Sequence, residues 1–409
     1  MLQTVPARAE RLRLVLVLGS LIALGPLTID MYLPALPTIA TELGVAEATV
    51  QLTLTGTLVG LGLGQLVIGP LSDALGRRGP LLAGTALHVV ASLLCVVAPN
   101  VAVLGGLRVL QGLGAAAAAV LTVAIVRDLY DGVAAATLLS RLMLVVGVAP
   151  VLAPTLGGGV LAVTGWRGIF VLLAVVGALT LLIEFRAVPE TLPPERRRPH
   201  GGVRATAGAY RGLLRDRTFV GLVATSGLAM AALFAYVSGS SFVFQQEYGL
   251  SEQNFALLFA GGAIGLIGGT QLNARLLQIY PPERILATAL AAGLVSGAVL
   301  VGLTVADVGG LVGLLVPLWA TLAFMGLVIP NGPALAMQRH GEAAGTAAAL
   351  IGAAQFTVGA IAAPVVGVLG NDSLAMVSVV LGGTALALLV FSLVARPGLV
   401  ATGPELVHA

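Results

Sequence analysis

The amino-acid sequence predicts an all-α membrane protein in which twelve membrane-spanning helices form two six-helix half-domains. Of its 409 residues, 58% are hydrophobic and only 10% are charged, whereas a soluble domain carries about 25% charged residues. Twelve apolar runs have about the 20 residues that a helix needs to cross a bilayer. The largest polar segment, 188–217, follows the sixth run. These observations place six helices on each side of a polar linker.

The apolar runs follow one another along the chain, separated by turn-like or charged residues such as Asn371 and Asp372. The predicted spans are 13–37, 49–71, 80–98, 101–126, 138–162, 167–187, 218–244, 254–272, 285–305, 311–333, 346–368 and 374–395. The chain then divides into an N-terminal bundle at 1–187, a cytoplasmic basic linker at 188–217 and a C-terminal bundle at 218–409.

A short repeated sequence motif relates the two bundles. The fifth span contains APTLG at 153–157, and the eleventh contains APVVG at 363–367. These spans occupy equivalent positions if the chain repeats every six helices. Paired repeats of this kind are typical of secondary transporters.

The distribution of arginine predicts the orientation. All 21 basic residues are arginines, and with the N-terminus inside, every one except Arg108 and Arg167 lies on the cytoplasmic side. Such an imbalance follows the positive-inside rule. It predicts that both termini and the 188–217 linker are cytoplasmic. It also explains the net charge of +3 without any nucleic-acid partner.

Several classes of chemistry are excluded by composition. Without lysine the chain has neither a Walker A loop nor a Schiff-base lysine. Cys95 is the single cysteine, and the four histidines are far apart in the sequence, so no metal site or cofactor is predicted. A membrane-embedded enzyme or sensor would need a catalytic cluster or a large soluble domain. The sequence contains neither, and it predicts a protein that is not an enzyme.

The loop after the second span reads GPLSDALGRRGPLL at 69–82. It resembles the GxLxDxxGRR/K signature of the major facilitator superfamily, the alternative being a generic basic turn. The resemblance implies a cytoplasmic gating latch, with Arg127 at the inner end of span four as the expected partner of the acid. The predicted latch residues are Gly69, Asp73, Gly76, Arg77, Arg78 and Arg127. The corresponding loop of the second half has Asn273 at the acid's position, which predicts a weaker latch there.

Two further motifs lie in spans four and five. LRVLQGLG at 107–114 resembles the superfamily's RxxQGxG motif, with Arg108 and Gln111 in place; a structural arginine bonded to carbonyls is the alternative. GVAPVLAPTLGGG at 147–159 resembles the antiporter motif GPxxGG, with Ala153 in place of its first glycine. Ordinary packing of small residues is the other interpretation. The predicted helix-packing residues are Pro150, Pro154, Gly157 and Gly158.

Three stretches narrow the resemblance: PLTIDMYLPALP at 26–37, GWRGIF at 165–170 and AYVSGSSFVFQQEYGLSEQNFALLFA at 235–260. Together they resemble the Bcr/CflA subfamily of bicyclomycin- and chloramphenicol-type drug:proton antiporters, over about residues 12–395. One departure is Ser241, where the subfamily usually has proline.

The resemblance implies a monomer in the lipid bilayer of the bacterial inner membrane. It implies proton-driven export of small amphipathic compounds by alternating access. An importer or facilitator of a metabolite with the same fold is the alternative.

Asp30 is the one acidic residue, among eighteen, that the sequence places deep in the membrane. Arg108 lies at a similar predicted depth, roughly 10 Å from the outer surface at 1.5 Å per helical residue. Desolvation raises the pKa of a carboxyl group, whereas a nearby arginine lowers it. Asp30 and Arg108 are therefore predicted to couple transport to protons, the alternative being a fixed ion pair that holds spans one and four together.

Aromatic and amide side chains are predicted to form the rest of the cavity wall, which would suit an amphipathic ligand. For each aromatic residue, packing against lipid is the alternative. The predicted substrate-binding residues are Tyr32, Gln111, Tyr236, Phe242, Phe244, Asn331 and Gln355.

Overall fold

The computed structural model describes residues 8–197, 202–338, 340 and 343–395. Within this part of the chain, twelve helices are long and apolar enough to cross a membrane, which confirms the predicted fold class. The α-helices are α1 (Arg8–Asp30), α2 (Leu36–Leu43), α3 (Glu47–Leu75), α4 (Arg78–Val96), α5 (Val101–Leu129), α6 (Gly132–Thr164), α7 (Trp166–Ala187), α8 (Gly202–Leu213), α9 (Arg217–Phe242), α10 (Glu252–Leu276), α11 (Pro282–Val305), α12 (Gly310–Gln338), α13 (Ala344–Val368) and α14 (Ser373–Val390).

The first span is broken. Helix α1 ends at Asp30, a 3₁₀ turn covers Leu33–Ala35, and α2 carries the span on to Leu43 rather than to the predicted residue 37. Pro34 and Pro37 explain the break, because a proline cannot donate the helical hydrogen bond to the carbonyl four residues earlier.

Helices α1–α7 form the N-terminal half and α9–α14 the C-terminal half, and the linker between them contains the short helix α8. The halves meet where α3 packs against α13 and where α6 packs against α10. We call "inner" the end of the bundle that carries the turn at 75–78, following the predicted orientation, and "outer" the opposite end.

The hydrophobic core differs between the two ends. At the outer end one continuous core joins both halves, with Leu36 and Phe170 on one side and Phe244 and Val377 on the other. At the inner end each half has its own separate core. The halves are therefore packed together at the outer end and separate at the inner end.

Candidate functional site

Asp30 lies at the break in the first span, on the boundary between the halves. It is the last residue of α1, and only 6% of it is exposed. Among the described residues, no ion pair includes its carboxylate. Its charge is close enough to the Tyr236 hydroxyl, in the other half, to interact with it electrostatically. The sequence was therefore right to single out Asp30 as a buried acid.

Arg108 is fully buried but does not pair with Asp30, so the expected contact between them is wrong for this conformation. Its Nη1 donates to the Thr28 carbonyl at 3.0 Å and to Gln111 Oε1 at 2.6 Å. The Thr28 carbonyl is available because the Tyr32 N–H, its donor in a regular α-helix, donates to the Ile29 carbonyl instead. The structure thus matches the alternative of an arginine bonded to a carbonyl.

The Arg108 guanidinium also lies over aromatic rings of the same half. Its Cζ is 4.2 Å from the Tyr32 ring centroid and 5.7 Å from that of Phe170. Cation–π contacts of this kind partly compensate a desolvated cation. Nε and Nη2 have no hydrogen-bond partner in the described part of the chain.

A buried polar network extends from Gln111 to α4 and α1. Gln111 Nε2 donates to Ser92 Oγ at 2.8 Å, and Ser92 donates to the His88 carbonyl at 2.7 Å. The Thr28 hydroxyl donates to Leu24, so at 2.9 Å His88 Nε2 must donate to Thr28 Oγ1. Both ends of the Gln111 amide are used inside this network, which leaves its predicted substrate contact untested.

The two tyrosines predicted to bind substrate differ in their hydroxyl groups. Tyr32 donates to Thr53 Oγ1 at 2.7 Å, since the Thr53 hydroxyl is itself used on the Val50 carbonyl. The Tyr236 hydroxyl is buried with no partner in the described residues. Its ring stacks on Phe259, with centroids 5.2 Å apart and planes at 8°.

Phe244 belongs to the aromatic cluster of the C-terminal half, and Phe242 lies in the same hydrophobic core. The ring centroid of Phe244 is 6.2 Å from that of Phe255, and the centroid of Phe255 is 5.7 Å from that of Phe259. Neither Phe242 nor Phe244 is more than 1% exposed. The alternative that they face lipid is therefore wrong.

Asn331 is placed away from this cluster. Its Nδ2 donates to Asn273 Oδ1 at 2.6 Å and to the Leu327 carbonyl at 2.7 Å. On α10, Asn273 lies roughly 21 Å along the axis from Phe259, at 1.5 Å per residue. The prediction that Asn331 shares a wall with the aromatic residues is wrong in this conformation. Gln355 is half-buried, and its amide forms no hydrogen bond with the described residues.

The latch at the inner end is organised around Arg77. Its Nη1 contacts Asp73 at 2.6 Å and its Nε contacts Asp128 at 2.9 Å. Burial lowers the pKa of Arg77, but the hydrogen bonds that it donates to Asp128 and Asp73 outweigh burial and raise that pKa above its usual value. Asp73 therefore pairs with Arg77, and the predicted pairing with Arg127 is wrong.

A second carboxylate, Glu190, completes the latch. It accepts from the backbone N–H groups of Arg77 at 2.8 Å, of Arg78 at 3.4 Å and of Leu192 at 3.0 Å. Burial raises the pKa of Glu190, but these N–H groups outweigh burial and hold it below its usual value. Gly76 is required beside it, because φ is +96° there and a Cβ would collide with the carboxylate.

The other predicted latch residues lie nearby without pairing to an acid. Arg78 Nη2 donates to the Phe185 carbonyl at 2.8 Å. The Cζ of its guanidinium lies 5.5 Å from the centroid of the Phe185 ring. Gly69 and Arg127 line the inner cavity, and Arg127 forms no ion pair with any described residue.

An inner cavity of about 660 Å³ separates the halves at this end. One wall is formed by the latch and α5, and the opposite wall by α8 and α13, including Tyr210 and Thr346. The Tyr210 hydroxyl donates to the Leu66 carbonyl of α3 at 3.3 Å. The linker helix therefore contributes directly to the cavity.

The outer end is closed by hydrogen bonds between the halves. Gln51 Nε2 donates to the Ser238 carbonyl at 3.3 Å and to Asn371 Oδ1 at 2.8 Å. Asn371 in turn donates to Glu47 at 2.6 Å. Together with the continuous core, these bonds seal the side opposite the cavity.

The predicted packing motif of α6 contacts both halves. The helix continues through Pro150 and Pro154 without interruption. A Cβ at Gly157 would collide with the Met31 carbonyl of the same half, and one at Gly158 would lie 3.4 Å from the Glu252 carbonyl of the other half. Its role in transport remains a prediction.

Glu184 is a buried carboxyl group that sequence reasoning did not single out. It lies in the last turn of α7, near the inner end, and its side chain is fully buried between α7 and α4. Thr85 donates to its Oε1 at 2.9 Å, and Oε2 is buried without a described partner. Counting residues along a helix gives depth but not the neighbour that a side chain faces, so the sequence held no clear signal.

Comparisons with known proteins agree with this architecture. The sequence pattern of the Major Facilitator Superfamily matches residues 18–364. The chain is 40% identical to the "Uncharacterized MFS-type transporter YdgK" of Bacillus subtilis, over 89% of this chain and 90% of that protein. It is 32% identical to a bicyclomycin resistance protein homolog of Haemophilus influenzae, over 88% and 90% of the two chains. It is also 32% identical to a chloramphenicol resistance protein of Pseudomonas aeruginosa, over 82% and 79%.

Solved structures show the same fold at low identity. A bacterial homolog of the human lysosomal transporter Spinster has a TM-score of 0.73 at 18% identity, covering 96% of this chain and 98% of that one. A D-xylose–proton symporter also has a TM-score of 0.73, at 17% identity, covering 96% and 99%. The chain therefore belongs to the major facilitator superfamily, and within it to the group that contains the bicyclomycin and chloramphenicol resistance proteins.

Proposed function

We propose that this transporter exports small amphipathic compounds in exchange for protons, by alternating access. It acts as a monomer in the lipid bilayer of the bacterial inner membrane, with both termini in the cytoplasm. Its partners are the exported molecule and protons, and it uses no cofactor.

The observation that supports proton coupling is the position of Asp30. Its carboxyl group lies at a helix break on the boundary between the halves, with almost no exposure and no cation within ion-pair distance in the described chain. Burial without a cation disfavours an ionised carboxylate, and exposure to water removes that penalty. A boundary that is alternately dry and wet would therefore bind and release a proton at Asp30.

Residues on the opposite side of the boundary support the class of substrate. The Tyr236 hydroxyl interacts electrostatically with Asp30 and has no hydrogen-bond partner among the described residues, and its ring stacks on Phe259. Aromatic faces with few polar groups suit amphipathic ligands. The names of the bicyclomycin and chloramphenicol resistance proteins are consistent with this class of ligand.

The test is uptake of radiolabelled chloramphenicol into inside-out membrane vesicles with an acidic lumen. If one proton is exchanged per neutral molecule, one pH unit supports about tenfold accumulation, since it corresponds to about 1.4 kcal/mol. We expect accumulation that an uncoupler abolishes. Asp30→Asn should lose it while retaining exchange of labelled for unlabelled compound without a gradient.

Glu184→Gln is the matched control, because it removes another buried carboxyl group of the same half. It should keep gradient-driven accumulation. Accumulation by Asp30→Asn at the wild-type level would contradict the proposal. Accumulation only with an alkaline lumen would instead indicate import coupled to protons.

A further inference from the structure

Two prolines deprive backbone carbonyl groups of their α-helical donor near the boundary between the halves. A carbonyl in a helix accepts from the N–H four residues later, and proline has none. Pro37 cannot donate to the Leu33 carbonyl, which accepts a 3₁₀ hydrogen bond from the Leu36 N–H and keeps one lone pair for a further donor. Pro364 likewise cannot donate to the Ala360 carbonyl. Within a bilayer a Ser or Thr side chain of a neighbouring helix often supplies the missing bond.

Both carbonyls accept a side-chain hydrogen bond from the opposite half. Ser241 Oγ, in α9, donates to the Leu33 carbonyl at 2.6 Å. Thr55 Oγ1, in α3, donates to the Ala360 carbonyl of α13 at 3.0 Å. Each half thus supplies one donor and one acceptor, and both bonds lie in the outer part of the molecule.

Gln245 strengthens the first of these contacts. It lies in a π-helical turn, Val243–Glu247, that ends this span. Its Nε2 donates to Ser241 Oγ at 2.8 Å and to the Pro34 carbonyl at 3.2 Å. We call the bonds of Ser241 and Gln245 to Leu33 and Pro34 the outer clasp.

The outer clasp holds the segment that follows Asp30. Leu33 is three residues beyond that carboxyl group, in the 3₁₀ turn between α1 and α2. Ser241 is fully buried, so no water competes for the Leu33 carbonyl while the outer end is closed. Separation of the halves at this end must break the clasp and expose the same segment.

We propose that Ser241 and Gln245 are positioning residues that link closure of the outer end to the burial of Asp30, with Thr55 as a second tie. While the clasp is formed, the segment after Asp30 stays packed on α9. When the outer end opens, the clasp breaks and water reaches the carboxyl group. The link to transport rests on the proposed function, whereas the effect on closure does not.

The experiment measures distances by electron spin resonance in the Cys95→Ala background, which removes the single native cysteine. One pair of spin labels, at Val163 and Val305, reports on the outer ends of the two halves. A second pair, at Val133 and Ile279, reports on the inner ends. All four side chains are exposed.

Ser241→Ala and Thr55→Val should each move the outer pair toward longer distances and the inner pair toward shorter ones. Loss of one hydrogen bond should change the ratio of open to closed populations by about two- to tenfold. The double variant should change it further. An outer distance distribution that stays at wild type in the double variant would overturn the proposal.

Thr270→Val is the matched control. Thr270 Oγ1 donates at 3.2 Å to the Gly326 carbonyl, which Pro330 frees in the same way, but both groups lie in the C-terminal half. This variant should leave both distance distributions unchanged. A shift equal to that of Ser241→Ala would show that closure does not depend on bonds between the halves.

A chemical readout addresses Asp30 itself. An Asp30→Cys variant in the same background should react several-fold faster with a charged thiol reagent when Ser241→Ala is added, and not when Thr270→Val is added. These measurements need neither substrate nor a proton gradient. Faster reaction with normal transport by Asp30→Asn would refute proton coupling and leave the clasp in place, whereas an unchanged rate would refute the link to Asp30.

Discussion

The two halves of the molecule keep different kinds of side chain in their interiors. The N-terminal half buries ionisable groups: Asp30, His88, Arg108 and Glu184. In the described part of the C-terminal half, the buried polar side chains are hydroxyls and amides, beside a cluster of aromatic rings. Buried charge is expensive in a membrane, so this division confines that cost to one half and leaves the other as a neutral surface.

The inner loops show the same contrast. In the N-terminal half, Asp73 and Asp128 hold Arg77, and Glu190 accepts from the turn. At the corresponding place in the C-terminal half, Asn273 is buried and accepts from Asn331. Asp73, Arg77 and Asp128 line the inner cavity, whereas the neutral pair is part of the packed interior. The two halves therefore share their helical architecture but not the polar side chains of their inner loops.

The largest expected effect is on stability, in Arg108→Ala. This change leaves the Thr28 carbonyl and Gln111 Oε1 without their donor. Each orphaned buried acceptor costs about 1–3 kcal/mol, so unfolding should become easier by about 3 kcal/mol. Thermal unfolding of the purified protein in detergent would measure it.

The comparison variant is Asn331→Ala, which removes two neutral hydrogen bonds in the other half, to Asn273 Oδ1 and to the Leu327 carbonyl. At about 1 kcal/mol for each bond it should cost about 2 kcal/mol. Equal losses for the two variants would show that the interior of the N-terminal half is no more demanding than that of the C-terminal half.

A smaller effect separates the two tyrosines. Tyr32→Phe removes a hydroxyl that donates to Thr53 and should destabilise the fold by about 1 kcal/mol. Tyr236→Phe removes a hydroxyl with no partner in the described chain, so it should leave the unfolding temperature unchanged or slightly raised. If the free hydroxyl serves the ligand, Tyr236→Phe should weaken chloramphenicol binding while Tyr32→Phe does not. Equal losses of stability in the two variants would contradict the contrast.

Sequence reasoning reached the helices and the turn at Gly76 because these follow from local patterns. Length and hydropathy give the spans, and GRR after a helix gives a tight basic turn. The partners of Arg108, Asp73 and Glu190 were not predictable, since each depends on how a helix is rotated about its axis. Glu190 meets Arg77 from 113 residues away in the sequence. Pro34 and Pro37 can be read from the sequence. That they end the helix at Asp30, rather than at the outer end of the span, is known only from the structure of the whole first span.

The pH dependence of the latch is a weaker effect. Since the backbone N–H groups of Leu192 and Arg77 hold the pKa of Glu190 down, its contribution to stability is present above the unfolded value, about 4.3. That contribution is lost as the pH falls through the lower folded value. The gap in unfolding temperature between wild type and Glu190→Gln should therefore shrink below about pH 4. Glu283→Gln, in the corresponding loop of the other half, is the control and should follow wild type throughout. A gap that widens on acidification would contradict the geometry.

The smallest expected effect is the coupling between Asp30 and Arg108, and it decides whether the ionisable groups of the N-terminal half act as one unit. The two side chains form no ion pair in the described structure. Changes at sites that share no contact usually add within about 0.3–0.5 kcal/mol. In a double-mutant cycle, Asp30→Asn with Arg108→Ala should therefore lose the sum of the two single losses of stability. The double variant should also stay inactive in gradient-driven uptake, because no carboxyl group remains at the break to carry the proton. A coupling energy above about 1 kcal/mol would reinstate the ion pair in another conformation, and recovery of gradient-driven uptake would remove Asp30 from the mechanism.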